Sequence, residues 1–185
     1  MRSLAEGIIY LAAGILGGAL SAYLVIESSG EELLGNSDHW VSRAAGLAGD
    51  SAFYVRAHFM MQGRLPPAPG QIDEATTDTD SSGKALTGNC RYTLTSAGAM
   101  PRWWSLVLLN TGTETASQQA IAGVDNTIRE ADGSIIIRAA DTPQSGNWLR
   151  TNALRRYSLL YSAVATGEQR LAAVPPFTIK LEDCR

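Results

Sequence analysis

Histidine is scarce in this sequence: only His39 and His58 occur among 185 residues. Neither stands beside a nucleophile motif. Gly-x-Ser-x-Gly, a Walker loop and His-Glu-x-x-His are all absent, so the local signatures of serine hydrolases, P-loop enzymes and zincins are missing. Basic blocks are lacking too. Of the 15 Lys+Arg only Arg2 precedes Asp38, and of the 18 Asp+Glu only Glu6, Glu27, Glu31 and Glu32 do, which leaves the rest of the chain formally neutral. A neutral chain without a basic stripe argues against a nucleic-acid partner. Cysteine appears only as Cys90 and Cys184.

What is present begins with an uncharged apolar run, Gly7 to Ile26, GIIYLAAGILGGALSAYLVI. At about 1.5 Å per residue it spans roughly 30 Å, the thickness of a bilayer's hydrocarbon core. A buried soluble helix of that length carries a polar stripe, and this one has none. Tyr10 and Tyr23 lie near its ends, where amphipathic rings favour the interface. Arg2 precedes the run, and Glu27, Glu31, Glu32 and Asp38 follow it. The positive-inside rule then puts the N-terminus in the cytoplasm and the remainder outside. A cleaved signal peptide is the rival reading, but its apolar region is shorter, and here the one tolerable cleavage site, Ser28-Ser29-Gly30, comes late. The expected organisation is a cytoplasmic N-terminus (1–6), a transmembrane helix (7–26), a juxtamembrane segment with a short helix and a Pro-rich connector (27–70), and a β domain (71–185). The expected location is a bacterial inner membrane, with the C-terminal domain in the periplasm.

Small residues recur along the apolar run. Gly14, Gly18 and Ala22 fall at i, i+4 and i+8, and Ala13, Gly17 and Ser21 repeat that spacing one position earlier. Such faces let another helix backbone approach closely within a membrane. The plainer reading is that Gly and Ala are simply common in membrane helices.

After the run, Asp50 reads as an N-cap and Gly63 as a stop, with Phe53, Ala57, Met60 and Met61 as one apolar face of a helix that docks on the domain. Arg64-Leu-Pro-Pro-Ala-Pro-Gly70 is an extended connector. Beyond it the chain has strand and turn grammar. Tyr92–Ser96, Trp103–Leu109, Ser134–Arg138, Tyr157–Val164 and Phe177–Leu181 are strand candidates. Ser82-Gly83, Gly112, Asp132-Gly133, Gly146-Asn147 and Pro175-Pro176 separate them. The expected fold is mainly β: an antiparallel, jelly-roll-like sandwich with one transmembrane helix and a short docking helix.

The run Gly88-Asn-Cys-Arg-Tyr-Thr-Leu, then Pro101-Arg-Trp-Trp-Ser-Leu, Asp132-Gly-Ser, Gly146-Asn-Trp-Leu and Tyr157 to Tyr161 resembles the domain-of-unknown-function 1214 family. Order and spacing fit from about Asp73 to the C-terminus, most like the short members with an N-terminal anchor. The resemblance implies a jelly-roll-like β domain and no activity. Many members follow Asn-Trp-Leu with Pro, where this chain has Arg150.

Cys90 and Cys184 bracket most of the β domain, and in an oxidising compartment they are expected to pair. Two buried thiols or a metal site are the alternatives, and zinc is disfavoured without a nearby His pair. Asp78-Thr-Asp-Ser-Ser-Gly83 looks like the start of a calcium loop, but Asn89 stands where the bidentate Glu belongs, and a hairpin explains the same residues. Trp103, Trp104 and Trp148, with Asn147, are the candidate ligand or interface residues, though such tryptophans are more often core. The expected function is a non-enzymatic accessory or structural subunit of an inner-membrane assembly. Its partners would be other membrane subunits, met through Gly14, Gly18 and Ala22, and the lipid bilayer, with no metal or cofactor. A periplasmic module for a glycan or lipid is the alternative, followed by an envelope hydrolase.

Overall fold

Helix α1 (Arg2–Glu32) runs through the whole apolar segment. Within it Ala5–Ser28 is long and apolar enough to cross a membrane, with none of that stretch buried against the protein. Two of its hydroxyls are absorbed locally: Ser21 donates to the Gly18 carbonyl at 2.9 Å and Ser28 to that of Leu24 at 2.7 Å. Such back-bonding lets serine sit in an apolar helix without an orphaned O–H. The computed structural model describes residues 2–32, 35–37, 39–42, 47, 52–61, 63, 65–66, 68, 70–96, 100–110, 116–152, 154–165 and 177–184. The expected N-cap Asp50, together with Asp38, Gly112 and Pro175-Pro176, lies outside them.

Helix α2 (Ala52–Met61) groups with α1 in one compact unit, Met1–Leu34 with Gly46–Pro66. It ends where expected, since Gly63 takes φ +68° and its N–H returns to the Met60 carbonyl at 3.0 Å. Its inner face differs from expectation. Val55, His58 and Phe59 are buried, the first and last clustering with Leu47, while Phe53, Met60 and Met61 are exposed. Both sets have helical spacing, and in a helix apolar on most sides periodicity alone does not choose between them.

The second unit, Gly35–Ala45 with Pro67–Arg185, is a β sandwich. Its strands are β1 (Gly35–Ser37), β2 (Trp40–Ser42), β3 (Ile72–Thr77), β4 (Cys90–Ser96), β5 (Trp103–Asn110), β6 (Ala116–Gly123), β7 (Ile136–Ala140), β8 (Asn147–Arg150), β9 (Tyr157–Val164) and β10 (Phe177–Cys184). One sheet has the order β1-β2-β3-β9-β5-β6 and the other β10-β4-β7-β8. Pairing is antiparallel throughout except β7 with β8, which run parallel. Alternation along each strand sends Leu106, Leu108 and Leu159 inward from the first sheet and Leu94, Ile137, Leu149 and Ile179 from the second. These seven side chains are at most 2% exposed, so each contributes close to its full burial energy, about 1.5–3 kcal/mol.

Two strands come from the stretch read as juxtamembrane. β1 and β2 form a hairpin whose second strand pairs with β3. Trp40 holds it down, its indole N–H donating to the Phe177 carbonyl at 3.2 Å. The glycine turns appear as read: Gly83, Gly133 and Gly146 have φ of +82°, +84° and +76°. The cysteines pair too. Cys90 and Cys184 face each other in register on β4 and β10, joined by a bond of 2.02 Å that closes a separation of 94 residues.

Candidate functional site

Strand β3 reads Ile-Asp-Glu-Ala-Thr-Thr, and its alternation turns Asp73, Ala75 and Thr77 into the sandwich. Asp73 is 6% exposed. Ser42 on the neighbouring strand donates its hydroxyl to Oδ1 at 3.5 Å, and Oδ2 has no partner among the described residues. Burial pushes the Asp73 carboxyl above its ordinary value; the Ser42 hydrogen bond pulls the other way, and the Glu74 charge adds to the rise. Aromatic rings surround this corner. Tyr161 lies 6.5 Å from Trp40 and 6.1 Å from Phe177, and Phe177 lies 5.7 Å from Trp104, centroid to centroid. Burial, with Asp73 behind it, raises the Tyr161 phenol as well. A second orphan sits here, the buried indole N–H of Trp104. No sequence motif marks Asp73. Its one signal is an acid in phase with the small, inward residues of a strand.

The candidate tryptophans are not brought together. Trp103 and Trp104 are successive on β5 and so face opposite sides: Trp103 is 48% exposed, Trp104 only 5%. Trp148 belongs to the other sheet, on β8, where its N–H donates to the Ala140 carbonyl at 2.9 Å. A shared pocket over all three is therefore excluded by the period of the strand. Asn147 is a structural fastener. Its amide donates to the Ile128 and Ile136 carbonyls at 2.8 and 2.9 Å, and its oxygen accepts from the Ile128 N–H at 2.6 Å.

Two surface hollows flank β10. A cleft of about 240 Å³ beside the disulfide is lined by Asn89, Arg91, Asp141, Thr142 and Asp183. There Arg91 and Asp183 pair at 2.9 Å, both about half exposed, so the pair contributes little. The other hollow lies against the Asp78–Gly83 turn. Asp80 Oδ1 is engaged in that turn: it accepts from the N–H and hydroxyl of Ser82 and from the N–H of Lys84, at 2.8, 2.7 and 3.0 Å. A Thr79–Ala85 bridge closes it as a hairpin. Among the described residues no three His, Cys, Asp or Glu side chains are placed to hold a metal.

On α1 the small-residue face is open. A Cβ added at Gly14, Gly17 or Gly18 would meet nothing within 4 Å. Ala22 is exposed as well.

Comparison with known proteins agrees on the architecture and is silent on chemistry. No curated protein matches the sequence. A crystal structure of a Vibrio parahaemolyticus protein superimposes with a TM-score of 0.65 at 15% identity, covering 96% of this chain and 46% of that one. An uncharacterized protein from Burkholderia cenocepacia superimposes with a TM-score of 0.52 at 17% identity, covering 90% of this chain and 41% of that one. This chain thus spans a little under half the length of either, and at such identities the likeness is one of fold. The family model "Protein of unknown function (DUF1214)" matches residues 73–166, from the buried Asp73 on β3 to just past β9. By that match over half its length, the chain belongs to the DUF1214 family.

Proposed function

We propose that the protein is a non-enzymatic accessory subunit of a bacterial inner-membrane assembly. In this reading α1 crosses the membrane with its N-terminus in the cytoplasm, displays the sandwich in the periplasm, and packs against a helix of another subunit. The observation that carries it is the open face at Gly14, Gly17 and Gly18 on a helix whose apolar side chains from Ile8 to Val25 are exposed. A mere tether needs only apolar length, whereas glycine's benefit in a membrane is close backbone approach. Orientation is supported by Arg2 before the span and Glu27 after it. A Cys90–Cys184 bond fits an oxidising compartment.

The test is the double substitution Gly14→Leu and Gly18→Leu, which keeps the span apolar. A C-terminal periplasmic reporter should stay active, showing normal insertion. Partner recovery after mild-detergent purification should fall about fivefold or more, the equivalent of roughly 1 kcal/mol of lost packing. Unchanged recovery with normal insertion would mean that the helix only anchors.

A further inference from the structure

Two orphaned polar atoms share one row of the six-stranded sheet. Asp73 on β3 pairs with Ala163 on β9, and Ala163 pairs with Trp104 on β5. All three side chains point into the sandwich, exposed by 6%, 1% and 5%. Asp73 Oδ2 and Trp104 Nε1 both lack a partner among the described residues. Their backbones lie two strand spacings apart, about 10 Å. Ala163 between them supplies only a methyl group, which can neither donate nor accept. Buried polar atoms are seldom left unpaired; of the three such atoms among the described residues, the Tyr157 hydroxyl lies at the other end of β9, and these two flank one alanine in a single row.

We propose that this row is a binding site for a hydroxyl group, seated over Ala163 between the Asp73 carboxyl and the Trp104 indole. The class follows from what the flanking atoms demand. Trp104 Nε1 can only donate, so the guest must accept. Asp73 Oδ2 as a carboxylate can only accept, so the same guest must donate. An ammonium fails the first requirement and a phosphate or carboxylate fails the second, whereas a hydroxyl meets both on one atom. It also suits the protonated acid, to which it can offer a lone pair. The rings of Tyr161 and Phe177 close the corner with apolar surface, and Ser42 already holds the other carboxyl oxygen. Water and a small polyol carry the same group.

The test uses the full chain in detergent micelles with 15N-labelled tryptophan, the Trp104 indole signal being identified with Trp104→Phe. In the native chain that N–H should show cross-relaxation to a long-lived hydroxyl at the water frequency. Titration with glycerol separates the sources. A saturable shift of the indole signal means the site admits a polyol, and a persistent water peak without any shift means it holds water alone. Ala163→Ser places a covalent hydroxyl over the row; it should abolish the peak and leave the thermal midpoint within about 2 °C. Ala163→Val adds carbon with no hydrogen-bonding group over the row and should lower the midpoint by roughly 5 °C. The proposal is overturned if the native indole shows neither the hydroxyl peak nor a glycerol shift. It is equally overturned if the Ser and Val variants lose stability alike.

Discussion

In α1 the leucines from Leu11 to Leu24 face outward, and in the sandwich most leucines face inward. Leu16 and Leu20 are 70% and 60% exposed, while Leu106 and Leu159 are fully buried. One residue type thus takes opposite positions in one chain. The difference lies in the surroundings each region is built for. A helix made for lipid gains nothing by hiding leucine, because the hydrocarbon is as apolar as its neighbours. A sandwich in water gains about 25 cal/mol for each Å² it hides. The polar groups divide the same way. In α1 the Ser21 and Ser28 hydroxyls fold back onto the helix's own carbonyls; in the sandwich Trp40 and Thr151 reach across to distant carbonyls, while Asp73 Oδ2 and the Trp104 indole N–H are left over.

Breaking the disulfide should separate the two regions most sharply. It closes a separation of 94 residues wholly inside the sandwich, for which restriction of the unfolded chain contributes about 4 kcal/mol. Replacing Cys90 and Cys184 by Ser should lower the sandwich's thermal midpoint by about 8–16 °C in near-ultraviolet circular dichroism. The signal of α1 should be untouched. An unchanged midpoint would show that strand pairing between β4 and β10 already supplies all the restraint.

Next in size is a matched pair of leucine truncations. Leu106→Ala removes a fully buried side chain and should cost about 3 kcal/mol in chemical denaturation of the sandwich. Leu16→Ala, on the exposed face of α1, should leave that transition where it is. A loss of similar size at both positions would mean that α1 is packed into the folded protein instead of facing lipid.

The parts of this architecture that were legible are those with a strong local cause. An uncharged run the length of a bilayer can only be hidden by lipid or a very large core, so α1 was plain. β5 and β9 carry dense branched and aromatic residues, and Gly83, Gly133 and Gly146 mark turns that need positive φ. Missed elements lack such causes. β6 is Ala-Ser-Gln-Gln-Ala-Ile-Ala-Gly, poor in strand formers, and exists because β5 offers it an edge. β1 and β2 are three residues each and depend on β3 and on Trp40 reaching Phe177. Trp103, Trp104 and Trp148 form a group by chemistry alone, while the pleat that splits Trp103 from Trp104 is implicit in their adjacency. Asp73 was invisible for the opposite reason. An acid in a strand reads as solvent-facing until register shows Ala163 and Trp104 beside it.

The smallest expected effect concerns the two buried aspartates, whose environments are opposites. Asp73 has one weak donor, and burial, the largest influence, raises its carboxyl above the ordinary 3.8. Burial also works to raise Asp80, but the hydroxyl of Ser82, the N–H groups of Lys84 and Ser82 and the Lys84 charge outweigh it, so that carboxyl is lowered. Linkage gives the two opposite signs. The folded state binds the Asp73 proton more tightly than the unfolded chain does. Its contribution is therefore complete below about pH 3.8 and is lost as pH rises through the raised value. Asp80's contribution is present above 3.8 and is lost as pH falls through the lowered value. Asparagine keeps the shape and removes the titration. The midpoint of Asp73→Asn, measured relative to the native chain, should climb as pH rises above 3.8. That of Asp80→Asn should fall relative to the native chain as pH rises towards 3.8. Parallel slopes for the two variants would show that hydrogen bonds to Asp73 outweigh its burial, as they do at Asp80.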